Sequence, residues 1–228
     1  VLAAVLSDIH SNVFALQAVL RDAELSDVSE FWVCGDIFGY YPWASDCFLL
    51  LRRKQPVAVL GNHDSWLVDS PSAPAQIAGD IARHNARELA SHSPAALDWL
   101  AALPSTLMFE RCGRHITMAH GTPDDPLEGR YYPDDTRDYH WLPREGEILV
   151  LGQTHYPLLR GDARSGLLLN PGSVGQPRDR NPMPSWALID LATGSVTLRR
   201  SAYDNIAVMA RLRAMDWDER IVRSLDKR

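Results

Sequence analysis

An amide, an imidazole and a carboxylate stand together at Asn62-His63-Asp64, directly after the apolar run 57–60 and the turn glycine Gly61. Three side chains able to bind a metal or move a proton are costly at the end of a buried strand unless they serve a site. The pattern recurs. Asp8 and His10 follow the apolar run 1–6, Asp36 follows residues 31–34 and Gly35, His120 follows residues 115–119, and Gln153 and His155 follow residues 148–151 and Gly152. A single Asp or Asn after a strand is ordinarily a turn residue or a helix cap. His84, His92, His115 and His140 read as ordinary surface or hydrogen-bonded histidines. Five polar loci at successive strand ends point instead to one assembled site.

The donors are carboxylate, imidazole and amide oxygen. No thiolate joins them, because Cys34, Cys47 and Cys112 are widely spaced and form no CxxC pair. Such a set suits Mn²⁺, Fe, Zn²⁺, Co²⁺ or Ni²⁺ in a reactive site better than a structural zinc. There are donors enough for two ions, with a carboxylate to bridge them. Two ions ~3.5–4 Å apart generate hydroxide and stabilise both oxygens of an in-line displacement at phosphorus. With 23 basic and 29 acidic residues the net charge is −6. Nonspecific binding to nucleic acid or to a membrane surface is therefore disfavoured, and any phosphate needs a local positive centre, which metals supply.

To gather these loci the chain needs strands that end on one edge. Runs 1–6, 31–34 and 57–60 are short and apolar, as strands buried on both faces are. The spacing of Leu16, Val19, Leu20 and Ala23 predicts a helix between the first two, capped by Ser11 or Asn12. Pro42 opens a second helix with Trp43, Cys47, Leu50 and Leu51 on one face. This is the βαβ rhythm of a parallel sheet, whose sites lie at the carboxyl ends of the strands. Pro71 and Pro74 mark a loop, residues 76–89 carry a modest apolar face, and Ser93-Pro94 predicts the N-cap and first turn of a helix through 103. Residues 106–109 and 115–119 read as a hairpin around Arg111-Cys112-Gly113-Arg114. Residues 148–151, 167–169, 186–190 and 196–199 read as further strands, and the tail from about 206 to 228 as one charged amphipathic helix. The long segment 122–146, with Tyr131, Tyr132, Tyr139 and Trp141, lies between two of the polar loci and reads either as an ordinary packed loop or as a lid or wall over a substrate.

The 228 residues, 46% of them hydrophobic, predict a single domain over 1–228 with one sizeable core. The apolar start is too short for a signal segment, and no run approaches the ~18 apolar residues of a membrane span. An odd, dispersed set of cysteines suits a reducing cytosol. The expectation is a soluble cytoplasmic protein that meets a small phosphate ester, with no stable nucleic-acid partner and no membrane. Its oligomeric state is left open.

The motifs Asp8-x-His10, Gly35-Asp36, Gly61-Asn62-His63-Asp64, His120-Gly121 and Gly152-x-Thr154-His155 closely resemble those of the calcineurin-like metallophosphoesterases, in family order. With Asn170-Pro171-Gly172-Ser173 they resemble most the small bacterial and archaeal phosphodiesterase-like branch. The resemblance implies an α/β fold, a four-layer αββα sandwich with two mixed β-sheets flanked by helices. It also implies a pair of divalent ions, Mn²⁺ as first choice. Asp8, His10, Asp36 and His155 would hold the first ion, Asp36 would bridge, and Asn62, His120 and Gln153 would complete the second. A metal-bridging hydroxide would attack phosphorus. His63 would contact phosphate beside Asn62 and protonate the leaving oxygen. Asp64 is expected to hydrogen-bond His63 and raise its pKa. Arg178, and with it Arg180, is a candidate phosphate contact.

One position departs from the family pattern: Gln153 stands where histidine is usual. A neutral amide is a weaker donor than imidazole, so a more loosely held second ion is expected. Leu60 stands where the protein Ser/Thr phosphatase branch has arginine, which favours a phosphodiesterase over a phosphomonoesterase or nucleotide phosphatase. A third reading is a scaffold of the same fold with little catalysis. Such scaffolds lose ligands or the histidine acid, whereas this chain keeps His63 and a competent group at every expected position except 153.

Overall fold

The computed structural model describes residues 1–68, 77–162 and 165–226. Its order is β1 (Leu2–Leu6), α1 (Val13–Glu24), β2 (Glu30–Cys34), α2 (Ala44–Lys54), β3 (Val57–Val59), α3 (Asn62–Val68), α4 (Ile77–His92), α5 (Ala95–Ala101), β4 (Thr106–Arg111), β5 (Arg114–Ala119), β6 (Glu147–Val150), β7 (Pro157–Asp162), β8 (Gly166–Pro171), β9 (Ser185–Asp190), β10 (Ser195–Arg200), α6 (Asn205–Ala214) and α7 (Glu219–Ser224). Two five-stranded sheets result, β10-β9-β1-β2-β3 and β4-β5-β6-β8-β7. Both are mixed. β1, β2 and β3 run parallel in the first, and β5, β6 and β8 in the second. The expectation of two mixed sheets flanked by helices is met.

Period-two alternation explains the layers. Ala3, Val5, Trp32, Cys34 and Val59 of the first sheet face Ile116, Met118, Ile148, Val150, Leu167 and Leu169 of the second, forming a dry core between the sheets. The intervening residues Ala4, Leu6, Phe31 and Val33 face the helices, against Leu16, Val19, Phe48 and Leu89. Runs that are apolar throughout are thus accounted for by burial on both faces.

The second sheet's outer face, Leu149, Leu151, Leu158 and Leu168, is covered by segment 122–146: Tyr131 is buried there, with Tyr139, Trp141 and Leu142 packed beside it. The Tyr131 hydroxyl accepts a hydrogen bond from Arg160, which also donates to Asp135 O at 2.9 Å. These aromatics line a sheet, as the packed-loop reading has it and not the lid.

Other differences are local. β7 has no clear signal in the sequence, because Pro157 at its start and Gly161 within it are tolerated only on an edge, where this strand lies. Ser93 Oγ makes no capping bond, and Pro94 immediately precedes α5. The tail is two helices rather than one: Asp216 takes a positive φ of 53° and the Asp218 side chain caps α7 by accepting from Arg220 N. α6 and α7 pack Val208, Leu212, Ile221 and Val222 against Tyr41 and Ile81. Pro71, Pro74 and Gln76 lie outside the described residues. Among the described residues no helix is long and apolar enough to cross a membrane.

If segment 122–146 is structural cover, Tyr131→Ala should destabilise the fold by about 3 kcal/mol in urea denaturation, with metal uptake retained. A variant of unchanged midpoint that alters only turnover would restore the lid.

Candidate metal centre

The carboxyl ends of β1, β2 and β3 deliver Asp8, His10, Asp36, Asn62 and His63, and those of β5 and β6 deliver His120, Gln153 and His155. The turn after β8 ties the two edges together. Ser173 Oγ donates to Asp8 O at 2.7 Å, Val174 N to Ser7 O and Gly175 N to Asp8 O. Asn170 Nδ2 donates to Gly152 O at 2.6 Å and to Thr154 Oγ1. The Asn-Pro-Gly-Ser turn therefore sets the backbone of ligand loops in both sheets.

Asp8, His10, Asp36, Gln153 and His155 all have φ between 50° and 65°. This left-handed conformation costs about 1 kcal/mol or more for a residue with a Cβ, so five together rival a protein's net stability. Such strain collects at functional sites. Gly61 has its own constraint: a Cβ there would collide with the Asp36 amide nitrogen and Oδ1.

The geometry brings Asp8, His10, Asp36, His120 and His155 together. His155 Nε2 is 3.2 Å from Asp8 Oδ1 and 3.2 Å from His10 Nε2. His10 Nε2 is 3.8 Å from Asp8 Oδ1 and 3.6 Å from Asp36 Oδ2. His120 Nε2 is 3.4 Å from Asp36 Oδ2 and 4.0 Å from Asp8 Oδ1. Atoms that share one ion at ~2.0–2.2 Å lie about 3–3.5 Å from one another, so these spacings suit metal binding. Two groups of possible ligands, Asp8-His10-His155 and Asp8-Asp36-His120, share Asp8.

The outer contacts aim the ligands. His120 Nδ1 is 2.7 Å from Cys34 O and His155 Nδ1 is 2.7 Å from Gln176 O. A carbonyl only accepts, so each Nδ1 carries a proton and each Nε2 is the atom that faces inward. His63 N donates to Asp36 Oδ1 at 2.9 Å, leaving Oδ2 to the imidazoles. Both oxygens of Asp8, Asp36 Oδ2, Asn62 Oδ1 and His120 Nε2 are buried with no hydrogen-bond partner. Orphaned donors and acceptors of this kind call for a ligand.

Burial pushes the Asp8 carboxyl up to about 7. Burial would raise Asp36 too, but the charges of His120 and His63 hold it well below the ordinary carboxylate range. His120 is opposed by burial yet pushed up to about 10 by Asp36. Burial lowers His10, His63 and His155, and the Arg178 charge lowers each further.

His63 is half-buried, whereas His10, His120 and His155 are buried. It opens α3, with its ring 4.2 Å from Trp66, 4.8 Å from His10 and 4.9 Å from Tyr40 between centroids. One of its nitrogens also lies within 4.8 Å of ligand atoms of His10 and Asp36. The expectation for Asp64 is corrected. Its carboxylate is fully buried and accepts from the amides of Ile37, Phe38 and Gly61 at 2.9–3.1 Å, not from the His63 ring. Asp64 fixes the turn that carries Asp36. Arg178 reaches the site, donating to Tyr40 Oη at 3.4 Å, while Arg180 is exposed.

Sequence reasoning missed Tyr40, Trp66 and Glu128. Trp66 lies three residues beyond His63 and shares its face of α3, a signal available once that helix is recognised. Glu128 accepts from Asn62 Nδ2 at 3.1 Å across 66 residues, and nothing local announces it.

A family profile for the calcineurin-like phosphoesterase superfamily domain matches residues 1–194. An uncharacterised protein of Methanocaldococcus jannaschii is 30% identical over 220 residues, 88% of this chain and 87% of that protein. The crystal structure of a metallophosphoesterase from Sphaerobacter thermophilus is similar with a TM-score of 0.80 and 27% identity, covering 100% of this chain and 99% of that one. A hypothetical protein of Pyrococcus horikoshii shares the fold with a TM-score of 0.83 and 22% identity, covering 99% and 98%.

Asp64→Ala would leave three buried amides unpartnered, and should cost roughly 3 kcal/mol of stability or more. Urea denaturation checks this. An unchanged midpoint with only a displaced pH–rate profile would favour the acid-tuning role instead.

Proposed function

The chain belongs to the calcineurin-like phosphoesterase superfamily, and from that premise we propose that it is a metal-dependent phosphodiesterase acting on a small phosphate ester. The observation that carries this reading is the convergence of buried, unpartnered ligand atoms from Asp8, Asp36, Asn62 and His120 at the joined strand ends. Their chemistry fits divalent transition metals, Mn²⁺ first among them. Asp8, His10, Asp36 and His155 would hold one ion, and Asp36, Asn62, His120 and Gln153 a second. When bound, such a pair supplies Lewis acidity, making water nucleophilic near neutral pH and neutralising phosphate charge.

The remaining work falls to this chain's own side chains. His63, half-buried beside the three buried histidines, carries a proton to the open side of the cluster and gives it to the leaving oxygen. The Arg178 guanidinium, whose charge reaches Asp8, His10, His63 and His155, binds a non-bridging phosphate oxygen. Tyr40 and Trp66 wall the His63 ring and limit its motion. Leu60 packs toward the helix-side core, so no guanidinium sits before Gly61 to hold a monoester dianion. That supports the diester as substrate. The cysteines are free, with Cys34 and Cys47 buried, which accords with a cytoplasmic setting.

Hydrolysis of bis(p-nitrophenyl) phosphate by the Mn²⁺-loaded protein, compared with the monoester, tests the activity. Diester turnover is expected. Turnover of the monoester alone would overturn the diester reading, and none with either would favour a scaffold. His63→Ala should keep its metal and lose roughly 10²–10⁴ in rate, whereas Asp36→Ala should lose metal. Loss of metal from His63→Ala would make His63 a ligand.

A further inference from the structure

Asn62 and Gln153, the two amide ligands of the second ion in the proposed site, are held by neighbouring residues of one loop. Asn62 Nδ2 donates to Glu128 Oε1 at 3.1 Å, and Gln153 Nε2 donates to Leu127 O at 2.8 Å. A carboxylate and a carbonyl only accept, so in both amides the NH₂ must face the loop and the oxygen must face away from it. Asn62 Oδ1 is buried and otherwise unpartnered, as a waiting ligand atom would be. Left free, either amide could rotate and present NH₂, which cannot bind a cation.

The loop is built to hold this position. It leaves His120 directly and closes on itself through Gly121 N to Pro126 O at 2.6 Å, Thr122 N to Asp125 O at 2.9 Å and Gly129 N to Asp125 O at 3.0 Å. Glu128 N donates to Asp125 Oδ1 at 3.1 Å. The closure requires glycine at 129, where a Cβ would collide with Thr122 Oγ1 and approach Asp125 O to 2.7 Å. Glu128 itself is exposed and carries an outer ion pair to Arg130 at 3.7 Å, so it can be changed without opening the core.

We propose that Leu127 and Glu128 form a clamp that sets the second ion's affinity by fixing Asn62 and Gln153 with their oxygens turned to it. Glu128 is a positioning residue that touches neither metal nor substrate. The inference rests on the two-ion reading of the site. It also accounts for an amide at position 153: the loop carbonyl takes the NH₂ and leaves one acceptor, so the weak donor is at least pre-aimed.

Titration of the metal-free protein with Mn²⁺ alone, followed by calorimetry and by metal analysis after dialysis, reads both sites without any turnover. Two ions per chain are expected at saturation, the second bound more weakly than the first. Glu128→Ala should weaken the second by about 10–100-fold and leave the first unchanged. Glu128→Gln, which keeps an acceptor, should recover most of that affinity. Gly129→Ala should reproduce the loss, and Arg130→Ala, which removes only the outer ion pair, should match the parent. A Glu128→Ala protein that keeps its second-ion affinity within twofold overturns the clamp, as does equal weakening of both sites. A parent protein that takes up a single ion at saturation overturns the two-ion reading and the clamp with it. Missing diester turnover in a protein that binds two ions would overturn the proposed activity alone.

Discussion

Two carboxylates out of water, Asp8 and Asp36, are the constraint that shapes this molecule. Each is at most 1% exposed; both point free oxygens at His10 and His120, and Asp8 points one at His155 as well. Removing a carboxylate from water costs on the order of several kcal/mol unless opposite charge and hydrogen bonds offset it. His120, lying between the two, offsets part, and the His63 amide takes one Asp36 oxygen. What remains is an anionic nest with unmet valence. The left-handed backbones of the ligand loops and the inter-sheet turn at Asn170-Pro171-Gly172-Ser173 are what it takes to hold that nest open.

Rigidity is distributed accordingly. The core between the sheets brings the strand ends into register, and Cys34 records how closely they meet: its thiol donates to Ala119 O at 3.1 Å while its carbonyl accepts from Ser7 and His120. Asp64, buried behind the site, holds three amides of the Asp36 and Gly61 turns. His63, Tyr40 and Arg178 form the more open side of the cluster, each only partly buried. Ligands are fixed from behind, and the groups that would handle substrate face outward.

The side chains of the candidate metal centre were legible because each follows an apolar strand, where a polar side chain is costly to bury unless something binds it. The parallel order of β1, β2 and β3 followed from the same pattern and the helices between them. Long-range side-chain partners were not legible. Asp64 and His63 are adjacent in the chain, but on a helical first turn neighbours point apart, and the carboxylate turns to backbone amides of another loop. Glu128 meets Asn62 only through the fold. The aromatics of 122–146 lie between two ligand loops in sequence, which suggests a wall over a substrate. They cover a sheet because the outer leucines of β6, β7 and β8 needed an apolar partner and have these residues as theirs.

If these side chains hold two ions close enough to share a bridge, the ions exchange-couple, and electron paramagnetic resonance of the protein loaded with two equivalents of Mn²⁺ detects it. A coupled multiline spectrum is expected to replace the six-line signal as the second equivalent binds. A six-line signal that simply grows through both equivalents would contradict it.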